Sequence, residues 1–307
     1  MADKWASDEP PDDEGDEESS ELQSADCDPP VPRICGCFKR FENVSSISKL
    51  LSQRVDERIF YPRTYLCASH EVFAFTLVLT WSISLIWYPH QVFKHPALPI
   101  IGSYNPCFGW DYPPASYIAL TLCSINVYFT WRYAWLEQAR SFLLNSKDPT
   151  FWQIFSKYAS ILLALSSNTW LLLWLIGPNA DEPEDDDPEV LWWFLHTGIF
   201  IIYAFASYLA FLGNYMVAKY GPVPGNITLR NKIFVYVYGL SGTYLATVYC
   251  YDLFMFEKGK PPPLDSMFTQ LADILWMTCI SAITHFMPRE SPLHVTMKVI
   301  PLDDFDA

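Results

Sequence analysis

The sequence predicts an all-α membrane protein, a bundle of about six transmembrane helices behind a disordered acidic N-terminal tail. Three observations carry this expectation. Of the 307 residues 51% are hydrophobic and 17% aromatic, while 18% are charged, against a usual charged share of about 25%. The apolar residues fall in long blocks, several of which reach the roughly 20 residues that cross a bilayer. Those blocks lack the period-2 alternation of barrel strands, so in lipid, where the backbone must satisfy its own hydrogen bonds, they read as helices.

The net charge of −14 is concentrated in two places. Residues 1–30 carry 12 acids against Lys4 alone, residues 181–189 carry seven acids, and the rest of the chain holds 15 acids against 19 bases. The low pI therefore describes two solvated acidic segments on a mildly basic body. Residues 1–40 read as a disordered acidic cytosolic tail, because residues 1–30 hold almost no aliphatic side chains whose burial would offset the entropy of ordering. The tail has neither the basic start nor the short apolar core of a signal peptide, and its acidity excludes a transit peptide. It is a candidate surface for a cytosolic protein partner.

Residues 41–66 form an amphipathic juxtamembrane segment, with Ile47, Leu50, Leu51, Val55 and Ile59 at helical spacing among charged residues. Two readings stay open for it: a helix lying on the membrane surface, or a short helix packed on the spans from the cytosolic side. Residues 67–288 form the transmembrane domain, with apolar blocks at 72–88, 115–133, 158–176, 190–217, 233–256 and 266–286. Residues 289–307 complete the chain as a short cytosolic tail.

Basic residues set the orientation. Lys49, Arg54, Arg58 and Arg63 precede the first block, Arg132, Arg140, Lys147 and Lys157 surround the second loop, and Lys219, Arg230 and Lys232 the fourth. The positive-inside bias then places both termini in the cytosol, in an endomembrane or the plasma membrane. Lys258 and Lys260 in the fifth loop are the exception. The sequons Asn43-Val44-Ser45 and Asn226-Ile227-Thr228 fall on the cytosolic side and are expected to carry no glycan. Trp87, Tyr88, Trp131, Trp135, Trp152, Trp192, Trp193, Tyr215 and Tyr220 stand at block ends, where amphipathic rings form an interfacial belt.

Asp273 is the most informative single residue, since a carboxyl inside a span costs several kcal/mol unless it meets a partner or water. In the predicted orientation His196, Asp252 and Asp273 share the outer half of the membrane, and Tyr251 and Gln270 lie close in sequence. The pattern fits an outward-facing ligand pocket formed by Asp273, His196, Asp252 and Gln270; it fits equally a buried hydrogen bond between helices. No metal and no cofactor is expected: His90 and His95 are five apart in a Pro-flanked loop, and no HxxxH, HExxH or CxxC pair lies inside a span. His285 reads as an interfacial or packed histidine. Asn126, Asn168, Ser166 and Ser167 read as hydrogen bonds between helices. The GxSxG, GxxxxGK[ST] and GxGxxG signatures are missing, so no catalytic residue is assigned. Among the eight cysteines, Cys107 and Cys250 are the pair placed on the oxidising side and are candidates for a disulfide; Cys35 and Cys37, beside Lys39 and Arg40, are candidates for palmitoylation.

The order of features resembles a known family. Leu98-Pro99-Ile100-Ile101-Gly102-Ser103 followed by Pro113-Pro114 before the second span, and Phe268-Thr269-Gln270-Leu271-Ala272-Asp273 in the last span, are similar to the corresponding stretches of the DRAM autophagy-modulator family and its relative that remodels the lipid of GPI-anchored proteins. In that family the loop often reads Ile-Ser where this chain has Ile101-Gly102, and a Glu often stands where Asp273 does. The resemblance covers residues 72–287 and implies an endomembrane or cell-surface protein that affects lipid handling, autophagy or trafficking, without a catalytic set to carry over. Three functions follow as expectations. The first is a non-enzymatic protein that binds or organises membrane lipids, with no nucleic-acid partner. The second is a transporter or channel subunit for ions or protons that uses Asp273 and Asp252. The third is a membrane-embedded lipid-modifying enzyme.

Overall fold

The computed structural model describes residues 41, 44–52, 59–95, 98, 104, 106–144, 149–176, 188–221, 225–255, 266–288 and 295–296. Their elements are α1 (Ser46–Ser52), β1 (Ile59–Phe60), α2 (Pro62–Trp87), α3 (Pro89–Phe93), a 3-10 turn (Pro106–Gly109), α4 (Ala115–Leu144), α5 (Phe151–Ile176), α6 (Pro188–Tyr220), α7 (Leu229–Phe254), α8 (Ser266–Phe286) and β2 (Val295–Thr296). The tail over residues 1–40 with Cys35 and Cys37, residue Asn43, and the acidic run over 181–187 lie outside the described residues.

Local chemistry sets the helix starts. Pro62 occupies the first turn of α2, where its missing N–H has no intrahelical partner to lose. Gln153 folds back on Thr150 at the start of α5, accepting from its N–H at 2.9 Å and its hydroxyl at 2.8 Å. At the start of α7 the cap is reciprocal: the Thr228 N–H donates to Asn231 Oδ1 at 2.8 Å and the Asn231 N–H to Thr228 Oγ1 at 3.3 Å. Each satisfies backbone donors that the first helical turn leaves open. The threonine of the second sequon is thus part of a helix cap.

Among the described residues four stretches are long and apolar enough to cross a membrane, namely Pro62–Trp87, Gly198–Tyr220, Leu229–Tyr251 and Met267–Phe286, which marks the chain as an integral membrane protein. The sequence led us to expect six. The two further blocks do form long helices, α4 and α5, but α4 carries Asn126, Arg132, Glu137 and Arg140, which lower its apolarity. The first span also differs from its expected bounds: α2 begins at Pro62, not at residue 72, so His70 and Glu71 lie within it.

That shift explains how the juxtamembrane segment is held. Glu71 accepts hydrogen bonds from the Ser46 N–H at 2.7 Å, the Ile47 N–H at 3.1 Å and the Ser45 hydroxyl at 2.7 Å, and from the Thr284 hydroxyl of α8 at 3.1 Å. One carboxylate therefore serves the open donors of α1 and ties α2 to α8. Helix α1 packs on α2 with Leu50 buried and Ile47 against the core, so its apolar side faces the bundle. After α8 the chain returns to the same end, where β2 pairs antiparallel with β1, Ile59 opposite Thr296 and Phe60 opposite Val295.

Consecutive long helices pack on one another from α4 to α8, and α2 packs on both α4 and α8. Around α2 lies an aromatic core: Trp170 of α5 stacks on Tyr203 of α6 with centroids 5.0 Å apart, and Phe73 of α2 meets Trp110 edge-on at 5.9 Å. Trp110 comes from the loop after the 3-10 turn and is fully buried. The Ser84 hydroxyl holds that loop by donating to the Gly109 carbonyl at 2.7 Å, and a Cβ at Gly109 would come within 2.5 Å of the Trp81 ring. Outward, Phe75, Val78, Leu165, Ile233, Leu240, Leu271 and Ile274 are exposed, an apolar exterior of the kind lipid requires. Trp87, Tyr88, Trp131, Trp135 and Tyr220 are exposed as an interfacial belt needs, but Tyr215 is buried in the core instead. The side chains of Trp192 and Trp193 lie outside the described residues.

Candidate functional site

Asp273 enters α8 two turns from its start and is 4% exposed. The Tyr249 hydroxyl of α7, itself buried, donates to Asp273 Oδ2. An ionised carboxylate accepts at about four lone-pair sites, so this bond leaves acceptor capacity directed at the surroundings. Those surroundings are two cavities on opposite sides of α8, and Asp273 lines both.

The first cavity, about 470 Å³, lies between α6, α7 and α8. Phe200, Phe205 and Tyr208 line it from α6, Tyr238 and Tyr249 from α7, and Trp276 from α8. Two glycines of α7 keep this space open. A Cβ at Gly239 would come within 2.5 Å of the Tyr208 hydroxyl oxygen, and one at Gly242 within 3.2 Å of Trp276 Nε1. The second cavity, about 680 Å³, lies between α2 and α8, with Phe93 of α3 and Tyr104, which precedes the 3-10 turn, on its wall. Gln270 lines this second cavity and is exposed. Asp273 and Gln270, paired by sequence reasoning, thus share one cavity. His196 lies in α6 and Asp252 in α7, but their side chains are outside the described residues.

A second group of buried polar residues sits deeper. His70 Nδ1 lies 2.8 Å from the Leu66 carbonyl, which can only accept, so Nδ1 carries the proton and Nε2 of the neutral ring accepts from the Ser207 hydroxyl at 2.6 Å. Tyr238 in turn donates to Ser207 Oγ at 3.5 Å. Asn126 donates to the Ser69 carbonyl at 2.7 Å, and Tyr203 donates to Asn126 at 3.4 Å. Thr130 and Ser167 share a hydrogen bond of 2.7 Å between α4 and α5. Asn126 and Ser167 play the inter-helix part read from their sequence. His70 and Ser207 were missed, because His70 preceded the expected start of the first span and a lone serine carries no signal. Both are buried, at 2% and 1% exposure, and neither lines the cavities above. Their geometry joins α2, α6 and α7 rather than presenting a nucleophile.

The loop histidines are also separated. His95 is buried with Nε2 2.9 Å from Asp111 Oδ2 and its ring stacked on Phe108, while His90 is exposed on α3. His285 is exposed in the last turn of α8. Among the described residues no group of three His, Cys, Asp or Glu side chains converges as a metal site. Cys250 is a free, exposed thiol on α7, so the bridge to Cys107 anticipated from sequence is not made here; the Cys107 side chain lies outside the described residues. Comparison with known proteins found no matching family model, no matching curated protein and no matching solved structure.

Proposed function

We propose that this protein is a non-enzymatic, six-span membrane protein that holds a lipid against α8. The observation that carries the reading is the placing of one buried carboxyl, Asp273, on two largely apolar cavities that flank the same helix. Ligand sites are usually concave, apolar and of about 300–1,000 Å³, with a few placed polar groups, and both cavities fit that description.

Six spans are supported by the packing of α4 and α5. Helix α4 packs on α2 and α5, α5 packs on α4 and α6, and both expose large apolar side chains such as Ile125 and Leu165. The pairing of β1 with β2 brings the chain before α2 and after α8 to one end of the bundle, as an even number of crossings requires. The basic residues there favour the cytosol for that end.

The test is native mass spectrometry of the purified protein with extraction and analysis of bound lipid, compared with Ala204→Trp, which fills the first cavity from α6. Co-purified lipid in the wild type and its loss in a folded Ala204→Trp protein is the expected result. Equal lipid in both overturns the reading.

A further inference from the structure

The lining of the cavity between α6, α7 and α8 also defines the chemistry of its occupant, on the premise that it holds a lipid. Six aromatic residues, Phe200, Phe205, Tyr208, Tyr238, Tyr249 and Trp276, line this cavity together with a single carboxyl, that of Asp273. No Lys, Arg or His is among the described residues that line this cavity or the one across α8. Such a wall repels anions and attracts cations through the carboxylate. A phosphate or carboxylate placed there would meet no countercharge. A hydroxyl would gain one hydrogen bond. An ammonium group would gain an ion pair with Asp273 inside an aromatic wall, whose rings attract cations where they turn their faces to them.

The need runs in the other direction as well. A carboxylate at this depth in a bilayer is costly when its charge is unmatched, and Tyr249 supplies a hydrogen bond but no positive charge. We infer that the cavity between α6, α7 and α8 binds an ammonium group carried on a hydrocarbon chain, with Asp273 as its counterion and the aromatic walls as its cage. The free amine of a long-chain base and the quaternary amine of a choline headgroup share this chemistry. In the latter the adjoining phosphate must stay outside, toward the exposed mouth at Thr243 and Thr247.

The experiment measures binding of octadecylamine, lysophosphatidylcholine and octadecanol to the purified, delipidated protein in a non-ionic detergent, by native mass spectrometry. Octadecylamine is expected to bind on the order of tenfold more tightly than octadecanol. Asp273→Asn is expected to abolish that preference while leaving octadecanol binding in place. Tyr208→Leu, which keeps the carboxyl and the buried core, is expected to weaken the amine several-fold and the alcohol little; it decides the matter should Asp273→Asn fail to fold. Lysophosphatidylcholine binding as tightly as octadecylamine assigns the ammonium to a choline headgroup, and binding by octadecylamine alone assigns it to a free base. Equal affinity for amine and alcohol overturns the inference and leaves the lipid-binding reading standing. Binding of none of the three overturns both.

Discussion

The bundle is built in two ways on its two sides. Helices α2, α4, α5 and α6 meet through a filled interior: aromatic rings around Phe73, a buried Trp110 from the loop before α4, and hydrogen bonds that engage His70, Asn126, Thr130 and Ser207. Helices α7 and α8 close the ring more loosely, with a cavity on either side of α8. Of the apolar stretch of α2 56% is buried and of that of α6 50%, against 39% in each of α7 and α8. The glycines mirror this. A Cβ at Gly213 would sit 2.9 Å from the Ser156 Cα, backbone against backbone, whereas the Cβ at Gly242 would meet only the edge of a tryptophan that borders open space. In lipid, helices gain little from apolar contact itself and depend on close packing and on satisfied polar groups. The filled side holds the fold, and the open side is where space remains between helices.

If this division is right, substitutions on the two sides should differ in size. The largest effect is expected from Trp110→Ala, which removes a fully buried ring from the aromatic core and should cost about 3–5 kcal/mol, read as a lower midpoint for unfolding in mixed micelles. Gly213→Ala comes next: the neighbouring backbone cannot give way, so helices α5 and α6 must separate, at about 1–3 kcal/mol. A thermal melt followed by circular dichroism would detect it, and an unchanged melt would contradict the close crossing. Ser207→Ala strips His70 Nε2 of its donor and should cost about 0.6–2 kcal/mol; hydrogen exchange at the α2–α6 contact should rise accordingly. Gly242→Ala is expected to cost less than about 1 kcal/mol, because the Trp276 edge has a cavity to move into. A Gly242→Ala penalty as large as that of Gly213→Ala would break the comparison outright.

Much of the helical architecture was readable because it depends on composition along the chain. Blocks of apolar residues without period-2 alternation announce helices wherever they fold, and each of the six expected blocks lies within, or nearly coincides with, a long helix. Their edges were less readable. The sequence 62–71 contains Arg63, His70 and Glu71, which look unsuited to a span; the last two are accommodated because Glu71 serves α1 and α8, and His70 serves Ser207. Neither partner is close in sequence. The same holds for the tryptophans. A rule that places aromatic rings at the interface describes Trp87 and Trp135, but Trp110 and Trp170 are fully buried, and what separates the two sets is contact with distant residues.

The site divides along the same line. Asp273 was legible as a carboxyl that needs a partner, since the expense of an ionisable group in a span is a property of the residue and its sequence surroundings. Its partner was not: Tyr249, and not the neighbouring Tyr251 that the sequence suggested, turns its hydroxyl to the carboxylate. The two cavities were also beyond sequence reasoning, because empty space is what remains after every side chain has taken its place. Hydropathy and charge are sums over local residues, so the sequence by itself determined that the chain is helical and belongs in a membrane. Which faces meet, which polar groups pair across helices and where space is left are relations between residues far apart in the chain, and only the tertiary structure decided them.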